Sequence, residues 1–268
     1  MEKIFSIKEM EDNEKEFFDL KDALFELNEN KKKYINLRKW VRYEAVDYGD
    51  ADRILKEEGQ EVLEKIGWKD TKYLDCIYSM KTHFMAFLRF YLNGRIPYWG
   101  ELMDDFDEYF SDQRINSFCA SNDIEKEDME QMLYEMDVFA KNTHTLGNYM
   151  PCPDETYNKK KGYGGGYTYF EDRIELLYRE LTENKYEYID EATREKWNDW
   201  FERNSEKLFL NDMLGNSKLL SYKCPLKNRR YMMSKSDDIV EYRKYLHEVN
   251  AILLKRNAEF VKLCKVQK

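Results

Sequence analysis

The chain has 268 residues, of which 42% are hydrophobic and 15% aromatic, so it has enough apolar material to bury a substantial core. Charged residues make up 36% of the chain and the formal net charge is -9, which disfavours charge-driven binding to nucleic acid or to anionic membranes. The composition therefore excludes a disordered chain and leaves only local basic clusters as candidates for binding anions.

The cysteines and the apolar segments bear on the cellular compartment. Five cysteines are scattered along the chain without a C-x-x-C motif, which is typical of proteins from a reducing compartment. The N-terminal sequence M-E-K-I-F-S-I-K-E-M lacks the apolar core of a signal peptide, and no segment approaches ~18 consecutive apolar residues. We therefore expect a cytoplasmic protein that does not contact a membrane, and the Lys, Glu, Asn, Tyr and Ile bias suits an AT-rich bacterium or its phage.

Hydrophobic spacing predicts helices along much of the first hundred residues. Residues 9–28 predict an amphipathic helix, whereas 31–48 alternate and predict a strand or an irregular aromatic segment. A further helix is predicted to end at Gly67, which stands where a C′ glycine belongs. Residues 73–93 are the most apolar stretch and predict one central buried helix, in which His83 is interpreted as a hydrogen-bonded core residue.

The later elements are also helical in pattern. One helix is predicted around 102–110, and Ser121-Asn122-Asp123 is predicted to cap the next, whose apolar face carries a methionine stripe. Trp197, Trp200 and Phe201 predict a helix after Ala192. The last and longest helix is predicted to open with a capping box of Asp238 and Glu241. These patterns predict a mainly α fold, built as one irregular helical domain over 1–268 with room for a few short strands.

The stretch 143–173 differs from the rest of the chain. It reads T-H-T-L-G-N-Y-M-P-C-P-D-E-T-Y-N-K-K-K-G-Y-G-G-G-Y-T-Y-F-E-D-R and holds five of the 11 glycines and two of the 4 prolines. Glycine allows close backbone approach and proline fixes φ, so the two together predict a shaped loop. Long loops within compact helical proteins are more often functional than not. We therefore interpret 143–167 as the candidate functional loop.

The second part of this stretch has the residues of an anion site. A lysine run and a glycine cluster lead into a helix predicted over 169–183, whose free N–H groups and dipole attract phosphate, and Arg173 at its start could reach a phosphate as well. The alternative is a surface loop with solvated lysines. The predicted ligand-binding residues are Lys159, Lys160, Lys161, Gly162, Gly164, Gly165, Gly166 and Arg173.

The first part of the stretch has residues that could support hydrolytic chemistry. His144 can act as a base, an acid or a metal ligand, and Asn148 and Asn158 follow it closely, so these three are the candidate catalytic residues. A Cys–His pair or a zinc site from His144 and Cys152 lacks the usual paired spacing, and we predict no metal site from it. The structural alternative is that His144 binds backbone carbonyl groups inside the loop.

Two resemblances rest on these residues. T-L-G-N-Y-M-P-C-P, then Asn158, Lys161-Gly162 and Asp172-Arg173, resemble an uncharacterised bacterial family with the pattern T-[IL]-G-x-x-x-x-x-P, a later Asn, a basic-Gly pair and D-R at the head of a helix. That resemblance covers the second half of the chain, near whose end D-I-V-E-Y-R-K-Y-L-H-E-V-N and R-N, at Arg256-Asn257, belong to it as well. It implies an architecture and a site in this region without naming a reaction.

The stretch H-T-L-G-N also resembles, more weakly, the closing part of the His-Asn-His nuclease domain of type IV restriction enzymes. The resemblance gives His144 and Asn148 the later positions of that motif, with Asn158 further along, and it implies a Mg²⁺-dependent nuclease. Those domains also carry an earlier acidic-histidine pair, whereas the histidine upstream here, His83, lies in an apolar helical pattern.

Three functions follow from the sequence. The first is binding of a phosphate-bearing ligand, a nucleotide or nucleic acid, through 143–173. The second is a metal-dependent nuclease acting in phage–host conflict, for which Mg²⁺ would be the cofactor. The third is a non-enzymatic module that binds a protein partner through its acidic, tyrosine-rich surface.

Overall fold

The computed structural model describes residues 33–46, 60–68, 73–155, 190–207 and 236–266, and every structural statement below refers to these ranges. Helices dominate them, and two short strands form one antiparallel sheet. The prediction of a mainly α fold with a few short strands is therefore confirmed. None of the helices in the described ranges has the length and apolar character needed to cross a membrane.

The elements follow one another from an N-terminal helix to a long C-terminal helix. The helices are α1 (Ile35–Val46), α2 (Gln60–Lys65), α3 (Met80–Tyr91), α4 (Trp99–Asp104), α5 (Phe106–Tyr109), α6 (Asp112–Asn122), α7 (Lys126–Asn142), α8 (Glu191–Asn204) and α9 (Ser236–Val266). The strands are β1 (Tyr73–Cys76) and β2 (Tyr149–Cys152), and a 3₁₀ turn, Leu146–Asn148, precedes β2.

Helix α7 lies at the centre of the fold and packs against α1, α3, α6 and α9. Its methionine stripe is buried as predicted, because residues spaced three and four apart share one helix face. Helix α9 runs beside α7 in the same direction, since Asp128 contacts Arg243 near one end and Asn142 contacts Asn250 further along. The interface of these two helices positions the candidate site.

The prediction of a strand or an irregular segment at 31–48 was wrong, because residues 35–46 form α1. The buried side chains of Leu37, Trp40 and Val41 recur at helical spacing, and the alternating positions of Ile35 and Tyr43 beside them obscured that period. The first turn of α1 is capped by α7: the Asp137 carboxylate accepts the Leu37 N–H and the Asn36 Nδ2–H, each at 2.8 Å. Burial raises the pKa of this carboxyl above its ordinary value.

The single helix predicted over 73–93 is a strand followed by a helix. Tyr73–Cys76 forms β1, and α3 begins at Met80 after Ser79, whose hydroxyl accepts the Thr82 N–H. The strand was hidden because its partner, β2, is distant in the sequence, with Cys76 opposite Tyr149. His83 is buried in α3 with Nδ1 2.7 Å from the Tyr242 hydroxyl, which confirms its prediction as a core residue.

Several helix boundaries differ from the predicted ones. Residues 102–110 divide between α4 and α5, and Ser121-Asn122-Asp123 end α6 instead of capping the following helix, because Asp123 adopts the left-handed conformation. Helix α9 begins at Ser236, so Asp238 lies inside it and is not its cap. Gly67, with φ of 77°, follows α2 as predicted. The helices predicted over 9–28 and 169–183 lie outside the described residues.

Candidate functional site

The first third of the candidate loop is built into the core. Residues 143–150 are all buried, so the prediction of a loop is wrong for this part of 143–167. The chain leaves α7, forms the 3₁₀ turn and then pairs as β2 with β1. Because buried backbone groups need partners, this path is fixed by hydrogen bonds from the surrounding side chains.

Asn148 joins the segment to the end of β1. Its Oδ1 accepts the Tyr78 backbone N–H at 2.8 Å, and its Nδ2 donates to the Tyr78 carbonyl at 2.9 Å and to the Thr143 carbonyl at 2.8 Å. The side-chain amide thus pairs with Tyr78 as a peptide group of a neighbouring strand would, and it extends the β1–β2 ladder. Both hydrogens of the side-chain amide are donated to backbone carbonyls, so Asn148 holds the protein chain in place.

Gly147 allows the segment to touch the backbone of α9. A Cβ atom at this position would lie 2.4 Å from the Leu253 carbonyl oxygen and 2.9 Å from the Asn257 backbone nitrogen. The Gly147 N–H donates to Asn257 Oδ1 at 3.2 Å, and its carbonyl accepts from the guanidinium of Arg256. Arg256, itself buried, also donates to the Tyr149 carbonyl at 3.2 Å. The glycine therefore serves close packing, where any larger side chain collides with backbone.

A line of polar contacts connects the base of the segment to the protein surface. The Thr145 hydroxyl donates to the Asn142 carbonyl at 2.8 Å, and Asn142 Nδ2 donates to Asn250 Oδ1 at 3.0 Å. Asn250 Nδ2 donates in turn to Glu135 Oε2 at 2.9 Å, and Glu135 Oε1 lies 2.9 Å from Nδ1 of the exposed His247. Glu135 is therefore the residue at which the buried network meets solvent.

His144 is also buried, at the point where α7 ends. Its Nδ1 lies 2.8 Å from the Ala140 carbonyl oxygen, and its ring lies near the Tyr43 ring, with centroids 6.3 Å apart. The structural alternative predicted a histidine bonded to backbone carbonyls inside the loop. The imidazole does contact a backbone carbonyl, but this carbonyl belongs to α7. Asn148 donates to the carbonyl of Thr143, the residue before His144. The two described candidate catalytic residues therefore lie in the same buried segment.

The segment ends at a contact with α8. Asp154 Oδ1 accepts the Trp197 Nε1–H at 2.9 Å, and Asp154 Oδ2 lies 3.6 Å from Lys196 Nζ. Asp190 is the N-cap of α8, and the hydrogen bond that it accepts from the Thr193 N–H at 2.7 Å lowers its pKa below the ordinary value. The described chain just before 156–189 therefore contacts the helix that begins just after it.

The other predicted site residues lie outside the described residues. These are Asn158, Lys159, Lys160, Lys161, Gly162, Gly164, Gly165, Gly166 and Arg173. The structure therefore places His144 and Asn148 in the same buried segment, with different hydrogen-bond partners, and it describes the chain on both sides of the remaining residues. The roles predicted for them stay predictions.

The sequence analysis included Asn250, Arg256 and Asn257 in a resemblance but gave them no site role, whereas the structure shows that they hold the segment from α9. A signal for them existed, because Asn250 and Asn257 fall in step with the apolar residues Leu246, Leu253 and Phe260 on the buried face. Polar residues on an otherwise apolar helix face are uncommon and need hydrogen-bond partners. Their spacing could have indicated a buried polar contact, though not its partner.

Within the described ranges, no group of three or more His, Cys, Asp or Glu side chains is arranged to hold a metal ion. The nuclease and the protein-interaction interpretations stay predictions. Comparison of the sequence and structure with models of protein families, with curated proteins and with solved structures gives no match.

Proposed function

We propose that the protein binds a phosphate-bearing ligand, a nucleotide or a nucleic acid, through the lysine- and glycine-rich residues 158–173. The observation that carries this proposal is the contact of Asp154 with Trp197 and Lys196. It joins the chain just before 156–189 to the helix just after it, so the stretch that holds the predicted anion-binding residues leaves and rejoins the described fold beside α8.

The buried network supports the proposal from the upstream side. Asn148, Gly147 and Arg256 fix the chain just before the stretch begins, which reduces the conformational entropy that ligand binding must overcome. In this proposal His144 and Asn148 position the protein chain and do not contact the ligand. Asn158 would donate its amide to the ligand.

The ligand contacts follow from chemistry. The glycines at 162 and 164–166 would let backbone N–H groups approach phosphate oxygens, and Lys159, Lys160 and Lys161 would supply positive charge in an otherwise acidic chain. Arg173 would add a planar guanidinium that binds two phosphate oxygens at once.

Isothermal titration calorimetry with nucleotides, cyclic nucleotides and short oligonucleotides tests the proposal. A variant with Lys160→Ala and Arg173→Ala should bind the best ligand at least tenfold more weakly, because two charge-assisted contacts are lost. A matched control with Lys262→Ala and Arg203→Ala removes the same charge from exposed positions on α9 and α8 and should bind normally. Equal affinity of the two double variants, or no binding to any compound, contradicts the proposal.

A further inference from the structure

A groove of about 370 Å³ opens on the surface between α7 and α9, on the side of Glu135 that faces solvent. Its volume falls within the range of small-molecule sites, about 300 to 1,000 Å³. Its lining combines an aromatic ring, three basic side chains and two carboxylates. None of these residues belongs to the stretch of the proposed function, so the groove is a separate candidate site.

Three basic side chains of α9, Arg243, Lys244 and His247, form one wall of the groove. The Arg243 guanidinium is held by the Asp128 carboxylate at 2.9 Å and by Gln131. His247 is held through Nδ1 by Glu135, while its side chain is 68% exposed and Nε2 makes no hydrogen bond within the described part of the chain. Lys244 contacts only Glu241, on its own helix, among the described residues. The Arg243 guanidinium and the His247 imidazole are thus fixed in place, and the Lys244 ammonium can move toward a ligand, an arrangement suited to phosphate.

The opposite wall offers a flat apolar surface. Tyr134 is 63% exposed, which is unusual for a large aromatic side chain in the described part of this protein. Nucleobases stack on exposed aromatic rings in proteins that bind single-stranded nucleic acid. A planar base is therefore the group that this surface fits.

The two carboxylates of the groove favour a nucleoside phosphate over a simple anion. Glu135 already has His247 as the partner of one carboxylate oxygen and Asn250 as the partner of the other. Glu248 at the rim makes no hydrogen bond or ion pair among the described residues, and a carboxylate repels a simple anion while it accepts from ribose hydroxyls. We infer that the groove binds a nucleoside monophosphate, with the base on Tyr134, the phosphate at Lys244 and His247, and the ribose hydroxyls at Glu248.

Histidine NMR provides a site-specific test, since the chain has three histidines and two of them, His83 and His144, are buried. With ¹⁵N-labelled histidine in the full chain, AMP at millimolar concentration should shift the ring signals of His247 and leave the other two in place. The signals are assigned by their loss in His247→Gln. No shift of the His247 signals overturns the inference.

Variants then test the contacts. Tyr134→Ala should weaken the AMP response of His247 at least tenfold, and Lys244→Ala should weaken it by a similar factor. Lys262→Ala is the matched control: Lys262 lies on the same helix about 27 Å away, at five full turns. It is 65% exposed against 62% for Lys244, and each lysine pairs with a glutamate three residues before it. An undiminished response in Tyr134→Ala overturns the inference.

Two further experiments separate the contribution of the phosphate from that of the nucleoside, and they distinguish this inference from the proposed function. Inorganic phosphate alone and adenosine alone should each shift His247 less than AMP does, and an equal response to phosphate alone overturns the assignment of a nucleoside. The variant with Lys160→Ala and Arg173→Ala should keep the His247 response to AMP, even if it binds the best ligand of the calorimetric panel more weakly. Loss of the His247 response in that variant contradicts a separate groove site, while normal calorimetric binding in it contradicts only the proposed function.

Discussion

The interface between α7 and α9 is built in two different ways at its two ends. At the closed end, Asn142, Asn250, Arg256 and Asn257 are buried and are hydrogen-bonded to each other or to the backbone of 143–150. At the open end, Lys244, His247 and Glu248 lie on the surface, and their polar atoms face solvent. The same pair of helices thus holds a chain segment in place at one end and presents polar groups at the other.

The difference shows which polar residues are available for ligands. A buried amide that already makes its full set of hydrogen bonds can leave them only at a high free-energy cost, so it stabilises the fold and stays with its partners. A surface histidine or lysine gives up only a weak contact when a ligand arrives. Asn148 has every feature of the first class, and His247 of the second. If this distinction holds, substitutions at the closed end reduce stability and substitutions at the open end reduce binding.

Gly147→Ala should have the largest effect on stability. The added methyl group would lie 2.4 Å from the Leu253 carbonyl oxygen, which belongs to the backbone of α9 and cannot rotate away. We expect the free energy of unfolding to fall by about 3 kcal/mol, at the upper end of overpacking effects. Urea denaturation followed by circular dichroism measures it.

Gly100→Ala is the control for this change. Gly100 lies in α4, and nothing lies within 4 Å of the position that its Cβ would take. Alanine should therefore be neutral or should stabilise the helix by up to about 1 kcal/mol. If both alanine variants have the same stability, the closed end is not closely packed and the comparison fails.

Asn148→Ala should have the next largest effect. Removal of the amide leaves the Tyr78 N–H, the Tyr78 carbonyl and the Thr143 carbonyl without their Asn148 partner in a buried place. The expected loss is about 2–3 kcal/mol, as for other buried groups deprived of partners. Asn122→Ala, which removes one bond to the Phe118 carbonyl in a half-buried place, should lose less than about 1 kcal/mol. Equal losses would mean that Asn148 does not hold the segment.

The sequence predicted the helical elements better than the contacts between distant segments. The buried face of α7 was predictable because Met129, Met132 and Met136 repeat at helical spacing, a local property of the chain. Strand β1 was not, because four residues have little local preference and their partner β2 decides their structure. Likewise, Gly147 was predicted to lie in a loop, because the residue that requires a glycine there, Asn257, is 110 residues away in the sequence. Composition alone drew attention to 143–173, and residues 143–150 of this stretch are buried in the core.

Glu135→Gln tests the point where the two ends meet. The Glu135 carboxylate accepts from His247 Nδ1 and from Asn250 Nδ2, whereas glutamine has one acceptor oxygen and would turn its NH₂ group toward one of these donors. We expect a loss of about 1 kcal/mol in unfolding free energy, because one of two bonds is lost at a half-buried site. Hydrogen exchange of 143–148 should also become faster, since Asn250 contacts Asn142 beneath that segment. Unchanged exchange there would show that Glu135 supports only the surface.

His247→Ala and Lys244→Ala should have the smallest effects on stability. Both side chains are mostly exposed, and their contacts are single pairs with Glu135 and Glu241. Substitutions of this kind usually change the unfolding free energy by no more than about 0.5 kcal/mol. Urea denaturation of each variant beside Asn148→Ala measures the contrast directly. A loss as large as that of Asn148→Ala would mean that the open end also holds the fold together, and the groove residues would then have a structural role that accounts for their arrangement without a ligand.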